Sequence, residues 1–150
     1  MIGAYDIRVR TRKVEYNLHI ERNITIIKGN SGTGKTLLVQ AIDDYDTQGK
    51  RSGIKVTCDK HCCVLKGKNW IRDLEDIKDS IVFIDEGSEF TGTKEFASQI
   101  KNTDNYYVII TREDLLCLSY SIHSILELKS NKINGFIYNT QDELYKSSNI

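Results

Sequence analysis

The sequence predicts an α/β fold of three layers on a mostly parallel sheet, with an N-terminal antiparallel β hairpin. Three observations predict it. The β-branched run Ile24-Thr25-Ile26-Ile27 passes through a glycine-rich turn into Thr36-Leu37-Leu38-Val39-Gln40-Ala41-Ile42, where apolar residues recur at helical spacing. The unbroken apolar runs Ile81–Ile84 and Tyr106–Ile110 have the composition of strands buried on both faces. Ahead of all of these, apolar and polar residues alternate with period two from Tyr5 to Glu21, as in strands with one wet face.

Taken in order, Ile7 and Val9 alternate with Asp6, Arg8 and Arg10, and Val14, Tyr16, Leu18 and Ile20 with Glu15, Asn17, His19 and Glu21. Thr11-Arg12-Lys13 is the hairpin turn between them. Tyr5 and Tyr16 fall on the apolar faces, where a core or cross-strand aromatic is favoured over one that stacks on a base. The helix after the glycine-rich turn ends between Tyr45 and Gln48, with Gly49 as its stop. Ile54–Cys58 is a second strand and Val64-Leu65 a brief extended piece. Asn69 caps a helix over Trp70–Ile77. A short helix follows at Lys94–Ile100. Leu115–Ser121 is a connector, Ile122–Leu128 contains a last sheet strand, Phe136–Tyr138 makes a small edge strand, and Asp142–Lys146 a terminal helical turn.

Length and composition set bounds. A chain of 150 residues supports one domain, 1–150, with a real core. Its 21 basic and 21 acidic residues cancel, so the whole molecule exerts no pull toward nucleic acid or anionic lipid. On the hairpin, Arg8, Arg10, Arg12, Lys13, Arg22 and Lys28 outweigh Asp6, Glu15 and Glu21; a solvated face is favoured for this basic patch, and nucleic acid stays open as a partner. No apolar run has the length of a membrane span, and the N-terminus lacks a signal-peptide core, so a cytoplasmic protein with no membrane partner is expected. In that setting Cys58, Cys62, Cys63 and Cys117 are expected as free thiols. Cys58-x-x-x-Cys62-Cys63 with His61 departs from zinc spacings.

The chemistry is concentrated in two motifs. Gly29-Asn30-Ser31-Gly32-Thr33-Gly34-Lys35-Thr36 fits G-x-x-x-x-G-K-[ST], the phosphate-cradling Walker A loop. Its glycines permit backbone angles and a close main-chain approach closed to other residues. Its N–H groups and the following helix N-terminus converge on phosphate oxygens. Lys35 supplies a compact charge for the outer phosphates, and the Thr36 hydroxyl suits Mg²⁺. The second motif is Ile81-Val82-Phe83-Ile84-Asp85-Glu86, a Walker B of the hhhhDE type. Two adjacent acids at a strand's C-terminal end lie where open α/β sheets bind ligands. Asp85 fits the Mg²⁺ shell, and Glu86 is placed to polarise an attacking water. At the end of the next apolar run, Thr111 suits the γ-phosphate or the water. Arg112 suits transition-state charge, in its own subunit or a neighbour's, or else pairs at the surface with Glu113 or Asp114.

Together these segments, over residues 24–112, resemble the P-loop NTPases of the additional-strand, catalytic-glutamate division, which includes AAA+, RecA-like and ABC-type ATPases. The resemblance implies the three-layer P-loop NTPase core stated above. The N-terminal hairpin looks most like the ABC, SMC and overcoming-lysogenization-defect type ATPases. Arg112 stands where those families carry a switch histidine, and Leu65-Lys66-Gly67-Lys68 where they carry Leu-Ser-Gly-Gly. The chain is similar to a minimal member without a helical lid or coiled-coil insertion.

The expected function is Mg²⁺-dependent ATP binding and hydrolysis that drives a conformational or assembly step. The alternative is an ATP-binding switch or regulatory subunit with little turnover alone, acting through self-association, a partner protein or nucleic acid. A P-loop kinase ranks last: Asp59 would be its acid, but no arginine-rich lid follows. Asn131-Lys132-Ile133-Asn134 lacks the aspartate of a guanine-reading motif.

Overall fold

The computed structural model describes residues 3–28 and 34–145. Alternation at the N-terminus yields β1 (Tyr5–Arg10) and β2 (Val14–Ile20), paired antiparallel from Tyr5↔Ile20 to Arg10↔Glu15. Thr11 closes the turn: its Oγ1 accepts from the Val14 N–H at 3.1 Å, and its own N–H donates to the Val14 carbonyl at 2.8 Å. Ile7, Val9, Tyr16 and Leu18 point inward, while Asp6, Arg8 and Arg10 stay exposed. β3 (Ile24–Lys28) follows, and then α1 (Lys35–Gln48), which buries Leu38, Val39, Ala41 and Ile42.

A 3-10 turn at Gly49–Ser52 leads to β4 (Lys55–Thr57), which pairs antiparallel with β1. Three residues later the chain enters β5 (His61–Val64), parallel to β6 (Ser80–Ile84). Between β5 and β6 lies α2 (Trp70–Glu75), where Asn69 occupies the N-cap position but makes no side-chain cap bond. α3 (Lys94–Lys101) is capped by Thr93, whose hydroxyl accepts the Phe96 N–H, and leads to β7 (Tyr106–Ile110). β8 (Ile125–Ile133) and β9 (Phe136–Glu143) form a long hairpin.

The nine strands among the described residues belong to one sheet in the order β4-β1-β2-β9-β8-β3-β7-β6-β5. This corrects the expected three-layer P-loop NTPase core on a mostly parallel sheet. The molecule is a curled, mixed sheet shaped as a half-barrel, and the α-helices among the described residues span 14, 6 and 8 residues. Two features of the chain account for the difference. The link from β4 to β5 contains no helix, and it joins the two outermost strands of the sheet. In addition, β9 inserts between β8 (antiparallel) and β2 (parallel, Val14↔Ile137), which welds the N-terminal hairpin onto the parallel strands.

β9 also corrects two local expectations. It is interior rather than a small edge strand, and it runs through Asp142 and Glu143, where a helical turn was expected; Lys146 lies outside the described residues. Its polar residues are satisfied within the sheet. Asn139 is buried against Ser130, and the Gln141 amide both accepts from the His19 N–H (2.8 Å) and donates to the His19 carbonyl (2.7 Å).

The core divides into two clusters. Ile81, Phe83, Tyr106, Val108 and Ile110 face α1 and the inward side of β1 and β2. Val82, Ile84, Tyr107 and Ile109 face Trp70, Leu74, Phe90 and Phe96. Trp70 stacks on Phe90 with ring centroids 4.9 Å apart.

Candidate functional site

β3, β6 and β7 run parallel and adjacent, so their C-terminal ends open on one side of the sheet. The segments beyond those ends carry the residues singled out by the sequence. Gly29, Asn30, Ser31, Gly32 and Thr33 lie outside the described residues. Gly34 is the N-cap of α1 at φ 88° and ψ 9°, a left-handed conformation that favours glycine. A Cβ there would also stand 3.1 Å from the Tyr16 hydroxyl oxygen. That hydroxyl donates to the Gly34 carbonyl at 2.8 Å. Burial pushes the Tyr16 pKa up to about 12, which keeps the phenol protonated and donating.

Lys35, the first residue of α1, is buried, and burial lowers its pKa. The charge of Glu86 works against that shift and the charge of Arg112 adds to it, so these three side chains share one electrostatic neighbourhood. Thr36 is exposed on the same first turn of α1. Asp85 is half-buried just beyond β6; its Oδ1 accepts the Glu86 N–H at 2.8 Å. Burial raises the Asp85 pKa, the Glu86 N–H bond opposes that rise, and the Glu86 charge adds to it. Glu86 pairs with Arg112, Oε1 to Nε at 2.9 Å. Arg112 therefore reaches across from the end of β7 to the end of β6 rather than to its chain neighbours Glu113 and Asp114. Thr111 is buried; its N–H donates to the Ile27 carbonyl at 3.2 Å, and its Oγ1 accepts the Glu113 N–H at 3.0 Å. Asp114 pairs instead with Lys28, at 2.8 Å, where β3 ends.

The fold thus brings Lys35, Asp85, Glu86, Thr111 and Arg112 to one end of the sheet. Asp85 and Thr36 offer hard oxygen donors of the kind Mg²⁺ prefers, and the charge cost that burial imposes on Asp85 is one a divalent cation would offset. An open cleft of about 570 Å³, lined by none of these five residues, runs along Leu37, Gln40 and Ala41 of α1, opposite Arg12, Lys13 and Ile54. Tyr5 lies elsewhere, edge-on to Tyr106 at 5.1 Å, at the end of β7 remote from Thr111.

Two contacts were not predicted from sequence. The Glu86–Arg112 pair joins residues just beyond the ends of two separate strands, and the Tyr16–Gly34 bond joins a hairpin strand to the start of α1. The inward position of Tyr16 was readable from alternation, but nothing in the sequence specifies what its hydroxyl reaches. Among the described residues, no group of three or more His, Cys, Asp or Glu side chains is arranged to hold a metal, and no helix is long and apolar enough to cross a membrane. Cys58, Cys62, Cys63 and Cys117 are free.

No protein-family model matches the chain, and no curated protein matches its sequence.

Proposed function

We propose that the chain binds Mg²⁺ and ATP through Gly29–Thr36 and hydrolyses the γ-phosphate to drive a conformational or assembly step. The observation that carries this reading is the convergence of Lys35, Asp85, Glu86 and Arg112 beyond the C-terminal ends of adjacent parallel strands. Lys35 holds the outer phosphates, whose negative charge would offset the burial that lowers its pKa. Thr36 and Asp85 would hold the Mg²⁺, which when bound neutralises phosphate charge. Glu86 accepts the proton of the attacking water, and Thr111 orients the water or the γ-phosphate. The open cleft beside α1 falls within the size range of small-ligand sites and offers room for the rest of the nucleotide.

A second reading has its own support. With its carboxylate tied to Arg112, Glu86 is not free to act as a base until that ion pair opens. This favours an ATP-binding switch that turns over little alone and is released by a second copy, a partner protein or nucleic acid. The test is ATP binding and phosphate release by the wild type, Lys35→Ala and Glu86→Gln. Loss of binding in the first variant, and of release with binding kept in the second, is expected. Release that persists in both variants overturns the ATPase reading. Tight binding without release in the wild type selects the switch.

A further inference from the structure

The sheet face turned away from α1 carries side chains that the proposed nucleotide site does not use. Within β9, Ile137 packs on the core cluster that includes α1, so its neighbours Phe136 and Tyr138 point to the other face. Both rings are half-buried, belong to neither core cluster, and lie side by side with centroids 5.0 Å apart. The register carries their face across the sheet. Tyr138 stands opposite Asn131 on one side and Glu15 on the other, Glu15 opposite Arg10, and Arg10 opposite Lys55. The Arg10 guanidinium lies 4.9 Å from the Phe136 ring centroid. Among the described residues no helix covers this face: α1 packs on the opposite one, and α2 and α3 pack on β6 and β7.

We propose that this face binds single-stranded nucleic acid, with bases stacked on Phe136, Tyr138 and the Arg10 guanidinium, and phosphates held by Arg8 and Lys55. Aromatic rings and guanidinium planes both stack on bases, and every base offers a π-face, so such a platform needs no particular sequence. A duplex keeps its base faces hidden, which makes the single strand the fitting partner. A protein partner fits less well. The apolar surface here is limited to the two rings and the half-exposed Ile133 opposite Phe136, less than the apolar core of a protein interface.

The charges of the face support the same partner. Its carboxylates are already engaged. Glu15 is buried and accepts from Arg10 at 3.3 Å and Asn17 at 2.9 Å, and Lys129 holds Asp142 at 2.9 Å and Glu127 at 4.0 Å. Arg8 hydrogen-bonds the neutral Asn17 at 3.3 Å and Lys55 is exposed; among the described residues neither is held in an ion pair. The local surplus is therefore positive on a chain whose net charge is zero. The face is separate from the proposed nucleotide site, because Tyr16, which reaches Gly34, lies on the other side of β2.

The test is fluorescence anisotropy of labelled oligo(dT) and oligo(U) strands of about 12 nucleotides, titrated with the full chain in EDTA and without ATP. Those conditions separate it from the ATPase reading. Both strands are expected to bind more tightly than a duplex of the same length, the tighter one identifying the sugar preferred. Tyr138→Ala and Phe136→Ala are each expected to weaken binding about 5- to 100-fold, the reach of one stacked base, and Tyr138→Phe to retain it. Replacing Arg8 and Lys55 together by Ala should flatten the slope of log affinity against log salt by about 1.4, at about 0.7 per phosphate contact. Lys101→Ala, which removes a charge from α3, leaves binding unchanged. Circular dichroism verifies that each variant is folded. Absence of binding to either strand overturns the proposal. So does a duplex bound as tightly, or binding that survives loss of both rings and follows charge alone.

Discussion

The central parallel strands and the N-terminal hairpin are built on opposite terms. In β6 and β7 every residue is buried, because helices and 3-10 turns cover one face and α1 with the curled hairpin covers the other. In β1 the burial alternates residue by residue, and the outer face carries Arg8 on Asn17 and His19 between Asp6 and Glu21. The parallel strands have no polar position to spare until they end, so their charges, Asp85, Glu86 and Arg112, gather beyond one edge. Apart from Glu15, which is buried and pairs with Arg10 at 3.3 Å, the hairpin spreads its charges over a wet face. Placement follows from this contrast: charges confined to strand ends build a site, and charges on a solvated face form pairs of small energetic worth.

The largest test of the contrast is at the strand ends. Glu86→Gln is expected to lower ATP turnover by about 10²- to 10⁴-fold, the usual reach of a general base, with ATP binding retained; single-turnover phosphate release measures it. Next comes the interior. Phe83 is fully buried, and Phe83→Ala is expected to cost about 3–5 kcal/mol in denaturant unfolding, whereas Arg8→Ala on the wet face stays within about 0.5 kcal/mol. Equal losses from the two would break the comparison.

A smaller effect is expected where the two regions touch. Tyr16→Phe keeps the ring and deletes the hydroxyl that holds the Gly34 carbonyl, so it should cost about 1 kcal/mol and weaken ATP binding more than it lowers the melting temperature. The smallest lies on the hairpin face. The His19 pKa is raised, first by the hydrogen bond to Asp6 and then by Glu21, against a slight desolvation. A raised folded-state pKa gives stability that is fully present below the ordinary histidine value of about 6.5 and is lost as pH rises through the folded one. Asp6→Asn should bring the NMR-titrated His19 pKa back toward normal. It should also shrink the stability gained on acidification by a few tenths of a kcal/mol, the scale of an exposed pair.

What the sequence made legible follows the same division. Ile81–Ile84 and Tyr106–Ile110 declare themselves because burial on both faces forbids polar residues, and the hairpin because one-sided burial imposes alternation. β9 was illegible beyond Tyr138. Asn139-Thr140-Gln141-Asp142-Glu143 reads as a turn or helix end, yet its ladder with β8 and the Gln141 clasp on His19 make it a strand. Strand order was equally hidden. Periodicity reports which face is buried and says nothing of which strand lies alongside, so the link from β4 to β5 gave no hint that it spans the sheet's two edges. At the site, Asp85 and Glu86 were readable from their place after an apolar run. The partner of Arg112 was not, because Glu86 is distant in sequence and Glu113 and Asp114 are adjacent.

The parallel pairing of β2 with β9 sets a timetable for synthesis. Residues 14–17 are made early, but their partners at 137–140 leave the ribosome only after every other strand exists. The nascent hairpin must wait with one edge unpaired, open to annealing with another chain. Closure at such separation raises contact order, so the last step of folding is expected to be slow.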